Sequence, residues 1–237
     1  MIYTQADWVP SIAYSSGRSG IAIRAFVIHS AVGHGRPARF FPLRNEASSH
    51  FWIAQDGRVE QYVDTFNSAW ANGELNRVSG PDPRVPWLRD VYREIGGIGG
   101  PNRATISTEL EGGGEGNYSE PLTDPQFESL VELTRWVLEE HNLGPPIRHI
   151  NLLEHNQISA TACPLNRVPW ARLIARLEGG GLLSQEADSI RRELKAANDA
   201  QNMILVELGR QIAIVRVALD FHSKILIALK DRLDNIE

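Results

Sequence analysis

A histidine and the chain's single cysteine stand close together in His155-Asn-Gln-Ile-Ser-Ala-Thr-Ala-Cys163, with seven residues between them. Imidazole nitrogen and thiolate sulfur are donors that zinc favours, and a catalytic zinc takes three protein ligands and keeps one position open. The stretch is too broken for a long helix, so a loop would have to fold both side chains onto one ion. By itself the pair is more often a small buried cysteine near an unrelated histidine. Three more residues bear on the choice. His29 ends an apolar run and precedes Ser-Ala-Val-Gly33, where an imidazole can either face a cleft or cap a core. Glu109 and Glu111 lie two apart in Thr105-Ile-Ser-Thr-Glu-Leu-Glu111, so a strand would carry both carboxylates on one face. Such a face needs water, cations or a task of its own.

The elements that must position these residues can be read in outline. Ile21 to Ile28 is dense in β-branched residues and predicts a buried strand that delivers His29. Phe51–Gln55 and Arg58–Val63 flank Asp56-Gly57, the turn pair that best tolerates positive φ, and predict a hairpin. Trp70 is expected to pack against that sheet. Gly73 to Ala104, rich in Gly, Pro and Asn, predicts a long loop acting as a wall or lid beside a cleft. Thr105 to Glu111 predicts another strand. Thr123-Asp-Pro125 starts a helix with a capping side chain and a first-turn proline. Phe127, Leu130, Val131, Thr134, Val137 and Leu138 form its apolar face, and Asn142-Leu-Gly144-Pro-Pro ends it. Ile147 to Leu153 predicts a short strand leading into His155, and Trp170 opens a last helix to Leu177.

The bulk numbers narrow the class. With 237 residues, 42% hydrophobic and 22% charged, the chain can build one sizeable core plus an accessory element. A net charge of -5 gives no electrostatic reason to expect nucleic acid. One cysteine excludes an internal disulfide. Met1-Ile-Tyr-Thr-Gln-Ala-Asp-Trp8 lacks a basic start and an apolar run, so synthesis in the cytoplasm is expected. All three lysines (Lys195, Lys224 and Lys230) stand in the tail, which removes lysine from the catalytic candidates.

Gly179-Gly180-Gly181 predicts a hinge between a domain over residues 1–178 and a helix over 182–237, where Gly209 is the one glycine and proline is missing. Apolar residues recur at 4-3 spacing from Leu183 to Leu208. The seam then jumps four residues to Ile212 and resumes to Ile236, a stutter that unwinds a coiled coil locally without ending it. A lone helix with such a stripe needs a partner, so homo-oligomerisation through 182–237 is expected. Met203 to Leu229 is apolar, but Glu207, Arg210, Arg216, Asp220 and Lys224 interrupt it. Each would cost about 2.5–3.5 kcal/mol at a bilayer centre, so no transmembrane span is expected.

Taken together, Val27-Ile-His29-Ser30, Ser49-His-Phe-Trp-Ile-Ala-Gln-Asp-Gly57, Ile106-Ser-Thr-Glu109-Leu-Glu-Gly112 and His155-Asn-Gln-Ile-Ser to Cys163-Pro164 resemble the type 2 N-acetylmuramoyl-L-alanine amidases. That family includes phage lysozyme amidases, wall-recycling amidases and peptidoglycan recognition proteins. The resemblance spans roughly Ile21 to Trp170. It implies an α/β fold, a mixed central β-sheet flanked by helices, followed here by the long C-terminal helix. It implies zinc as cofactor on His29, His155 and Cys163, Glu109 as the acid that handles the attacking water (Glu111 as the alternative), and bacterial peptidoglycan as substrate. Thr161 stands where many members have a lysine that steadies the oxyanion, and a hydroxyl supplies a hydrogen bond but no charge. Leu165 replaces the glycine expected after Cys-Pro, and Ser49 replaces a catalytic tyrosine of phage relatives. His50, Trp70 and Asn72 are the expected substrate-binding residues. Within the family, the tail favours an endolysin released through a holin lesion over a recycling amidase; a binding module without catalysis is the rival class.

Overall fold

Two strands define the middle of the molecule, and both are buried at every residue: β3 (Ala25–Ser30) and β7 (Thr105–Leu110). Continuous burial is the mark of parallel strands covered on both faces. They pair in parallel with β8 (Leu152–Glu154) on the far side of β3 and β4 (Phe51–Ile53) beyond β7. β4 turns back antiparallel onto β5 (Val59–Gln61), and β1 (Asp7–Trp8) closes the edge. The sheet order is β1-β5-β4-β7-β3-β8, with a separate antiparallel pair, β2 (Tyr14–Ser15) and β6 (Ser68–Ala69), beside it. This is the mixed sheet expected, parallel except at the Asp56-Gly57 hairpin, where Gly57 takes φ +90°.

The computed structural model describes residues 1–36, 46–73, 82–95, 100–114 and 119–179, plus Gln211 and Ser223. The chain divides into two units, Met1–Gly179 and Gly180–Glu237. The expected C-terminal helix with its seam lies outside the described residues, except that Gln211 and Ser223 are helical and exposed. Among the described residues no helix is long and apolar enough to cross a membrane.

Alternation along β3 sends its side chains into two different cores. Phe26 and Ile28 join Ile106, Leu110, Phe51, Ile53 and Leu152 beneath α3 (Asp124–Glu140) and α4 (Trp170–Glu178). Ala25 and Val27 face α1 (Trp87–Ile95), which contributes Trp87, Leu88 and Val91. His29, two residues beyond Val27, therefore emerges on the α1 side. The start of α3 is pinned to the hairpin: Thr123 Oγ1 accepts the Gln126 N–H at 3.2 Å and donates to the Gln55 carbonyl. A cap of this kind is worth about 1 kcal/mol.

Three local expectations are corrected. The first strand starts at Ala25 rather than Ile21, because Ile21 closes a turn on the Arg18 carbonyl, and it runs through His29 to Ser30. The strand before His155 is shorter and later than Ile147–Leu153. The Ile147 carbonyl accepts from Ile150, Asn151 and Leu152, and the Asn151 side chain caps the Ile147 N–H, so those residues form a turn. Within 73–104, α1 and a short α2 (Gly100–Arg103) replace part of the expected loop. Pro86 just before Trp87 was the available helix-start signal, hidden among other prolines and glycines.

His141, following α3, gives the fold a pH dependence. Burial first, then the charge of Arg18, lowers its pKa from 6.5 to about 4. The unfolded chain takes up this proton near pH 6.5, whereas the folded chain waits until about pH 4. Between those values the unfolded state binds more protons, so stability falls as the pH is lowered through that window. His141→Phe, which keeps an aromatic edge against Trp136, is expected to lose less urea resistance between pH 7 and pH 5. The difference from the wild type should be on the order of 1 kcal/mol, discounted for the ring's partial exposure.

Candidate metal centre

The topology brings the chemistry-bearing residues together at one end of the sheet. β3 lies between β7 and β8, all three run in parallel, and their carboxyl ends lie side by side, where open α/β sheets take their ligands. Register pairs His29 with Glu109, so both side chains leave the same face. Register also pairs Ile28 with Glu154, and the next residue, His155, opens a single 3-10 turn (His155–Gln157) beside His29. The two imidazole centroids are 4.3 Å apart. His29 Nδ1 lies 3.9 Å from Glu109 Oε1, with both side chains almost fully buried.

Cys163 arrives from the loop. The Asn156 N–H donates to the Cys163 carbonyl at 3.0 Å and closes the loop back on its start. The Ser30 N–H donates to Cys163 Sγ at 3.1 Å, which holds the sulfur against the end of β3. The Cys163–Pro164 peptide is cis, and Leu165 and Asn166 follow at φ 64° and 60°. Arg167 then turns back into the sheet. Its guanidinium, 2% exposed, donates to Ser30 Oγ and to the carbonyls of Leu110, Glu111 and Glu120. It thereby ties the ends of β3 and β7 to the cysteine loop. Gly112 makes room for it: a Cβ there would sit 2.6 Å from Arg167 Nη2, and φ is +102°.

One ligand atom from each of His29, His155 and Cys163 lies within 4.8 Å of the others. Two imidazoles and a thiolate, partly withdrawn from solvent with a carboxylate alongside, suit zinc in donor type and number, and three ligands leave a position for substrate or water. The cavity in front measures about 240 Å³. His29, His155, Cys163 and Glu109 form its floor, and Val32, Trp70 and Thr161 stand around them.

The other expected site residues divide. Thr161 is exposed on the cavity wall, and its Oγ1 accepts the Cys163 N–H at 3.2 Å, which leaves its own proton to donate. Trp70 lines the cavity, held by its indole N–H on Ser15 Oγ at 3.0 Å. His50 is 1% exposed and is not among the residues that line the cavity. Its Nδ1 accepts the Ser107 N–H at 3.1 Å and its Nε2 meets the Asn67 carbonyl at 3.1 Å, so the ring joins β7 to the bend before β6. Burial first, then the charge of Arg18, holds its pKa well below 6.5. Asn72, also expected on the substrate, is 1% exposed and instead meets both histidines: Oδ1 lies 2.8 Å from His29 Nε2, and its carbonyl 3.2 Å from His155 Nε2. Glu111 is occupied elsewhere, accepting the N–H groups of Gly35 and Gln55. Ser49 is buried against Ser107 Oγ at 3.1 Å. The roles of Arg167 and of the Ser30 amide had no signal in the sequence, since both depend on which strand ends meet.

Residues 19–166 match the family model described as N-acetylmuramoyl-L-alanine amidase. Among solved structures, the chain is similar to a selenomethionine derivative of AmpD at 21% identity and a TM-score of 0.55, over 74% of this chain and 96% of that one. It is similar to a mutant of PlyL at 14% identity and a TM-score of 0.52, over 75% of this chain and all of that one. No curated protein matches the sequence. At these identities the two structures speak for the fold. The matched segment covers more than half of the chain and holds His29, His155 and Cys163, and the chain belongs to the N-acetylmuramoyl-L-alanine amidase family.

Proposed function

We propose that the chain is a zinc-dependent peptidoglycan amidase that hydrolyses the amide between N-acetylmuramic acid and the L-alanine of the stem peptide. The observation that carries the reading is the convergence of His29, His155 and Cys163 within 4.8 Å, with the Glu109 carboxylate against His29. These three residues would hold the ion. When bound, zinc in such a site supplies a Lewis acid and brings the pKa of a water to about 7.

The remaining steps belong to the chain's own groups. Glu109 Oε1 takes the proton of the water that attacks the lactyl carbonyl and passes it to the leaving L-alanine nitrogen, so one carboxylate acts as base and then acid. Thr161 donates its hydroxyl proton to the tetrahedral oxyanion. A hydroxyl gives this oxyanion less stabilisation than a lysine would, because it adds no charge. Trp70 and Val32 offer apolar walls to the sugar and the peptide. The free glycan strand and the stem peptide are the products.

Purified full-length protein should release L-alanine amino termini from sacculi without new reducing ends. The release should stop with a chelator and return with zinc. Reducing ends without amino termini, or release indifferent to chelation, would overturn the reading.

We also propose that residues 182–237 associate with further copies, supported by their 4-3 apolar seam, and that the protein is a lysin made in the cytoplasm and released to the wall through a holin lesion. Light scattering should find the full chain oligomeric, and a chain ending at Gly180 a monomer that still binds zinc. Two monomers would remove the tail's role.

A further inference from the structure

We propose that Asn72 is a positioning residue that sets the tautomer of both histidines, so that each presents its Nδ1 lone pair to the ion; the proposal rests on the metal reading above. All four polar groups of this buried residue are engaged. Its N–H donates to Asn102 Oδ1 at 2.8 Å, and its carbonyl accepts from Ser159 Oγ at 2.6 Å as well as from His155. Its Nδ2 donates to Thr105 Oγ1 at 2.7 Å, while Oδ1 meets His29.

The polarity of this chain of hydrogen bonds is determined from its far end. The Pro101 carbonyl can only accept, so Thr105 gives its one hydroxyl proton there, at 2.6 Å. The Thr105 oxygen must then accept from Asn72, which turns the amide nitrogen toward Thr105 and the amide oxygen toward His29. An amide oxygen cannot donate. His29 Nε2 therefore carries the ring proton, and in a neutral imidazole the lone pair falls on Nδ1. The same logic reaches His155 more directly, because the acceptor at its Nε2 is the Asn72 backbone carbonyl. One residue orients two ligands, His29 through its side chain and His155 through its main chain.

That division makes the proposal testable, since a side-chain substitution releases only one ring. Long-range proton–nitrogen NMR on the full-length, metal-free protein at mildly alkaline pH reads each tautomer without any activity. The wild type should show the Nε2–H form at both His29 and His155. In Asn72→Ala, His29 should become a mixture while His155 keeps its form, and zinc affinity, measured by competition with a chromophoric chelator, should fall about 10–100-fold. Asn72→Asp keeps an acceptor facing His29 and should restore the Nε2–H form and most of the affinity. Should the alanine variant fail to fold, the aspartate variant and the wild-type tautomers still decide. An Nδ1–H form of His29 in the wild type, or an alanine variant with tautomer and affinity unchanged, overturns the proposal. Wild-type protein with both rings in the Nε2–H form but no zinc binding supports the tautomer assignment and sinks the metal reading instead.

Discussion

Glu109→Gln is expected to slow the release of L-alanine from sacculi by about 10²–10⁴-fold, the usual worth of a positioned acid–base group. Glutamine matches glutamate in shape and can occupy the same buried place, but it cannot take and return a proton. Bound zinc should stay at wild-type stoichiometry, because the expected ligands are His29, His155 and Cys163, with the carboxylate beside them. The loss should fall on kcat more than on KM, since the group acts on the travelling proton. Glu111→Gln is the matched control. Its carboxylate is held by the N–H groups of Gly35 and Gln55, so it should cost stability before it costs chemistry. Full activity in the Glu109 variant would move the base elsewhere, and equal losses in both variants would point to a structural effect.

Cys163→Ser should remove zinc. A serine hydroxyl is a poor ligand at neutral pH, and the chain has no other cysteine to take its place. The affinity loss should exceed the roughly 10–100-fold that follows when a ligand's hydrogen-bond partner is removed. Zinc at a hundred times its Kd stabilises the folded state by about 2.7 kcal/mol. For a domain of this size that is a rise in Tm of roughly 5–10 °C. The wild type should show this rise on adding zinc, and the serine variant should melt at one temperature with or without it. Unchanged metal content in the variant would exclude the thiolate as a ligand, whatever happened to activity.

How much of this could be read beforehand depended on how local each signal was. Thr123-Asp-Pro125 and its apolar face specify α3 within one stretch of chain, and the helix runs Asp124–Glu140 with Phe127, Leu130, Val131, Thr134, Val137 and Leu138 all buried. Asp56-Gly57 specifies its hairpin in the same way. Short or contested signals specify less. β1, β2 and β6 are two residues each, too short to carry a period, and exist because a neighbouring strand offers them a ladder. α1 stood among prolines and glycines that read as loop, and its pattern gained meaning only from the Ala25–Val27 face it covers.

His50 and Asn72 show the limit most clearly. Both stand beside family-like motifs and were expected on the substrate. His50 instead joins Ser107 of β7 to the Asn67 carbonyl, and Asn72 is buried against the rings of His29 and His155. A residue type says which bonds a side chain can make, and nothing about which side of a site it approaches from. That is set by the packing of segments distant in the chain.

By itself the sequence determined the residue types, two histidines, one cysteine and a pair of carboxylates, and it was the resemblance to a family that made them an expected zinc site with an acid–base partner. It also determined that a run such as Ala25–Ile28 is a buried strand, covered on both faces. Only the tertiary structure decided that His29, Glu109 and His155 share one edge. That required β3 to lie between β7 and β8 in a particular register, and a shift of one residue would have sent His29 to the opposite face. Register is the sum of many weak contacts across the whole sheet, so no single stretch of sequence could have announced it.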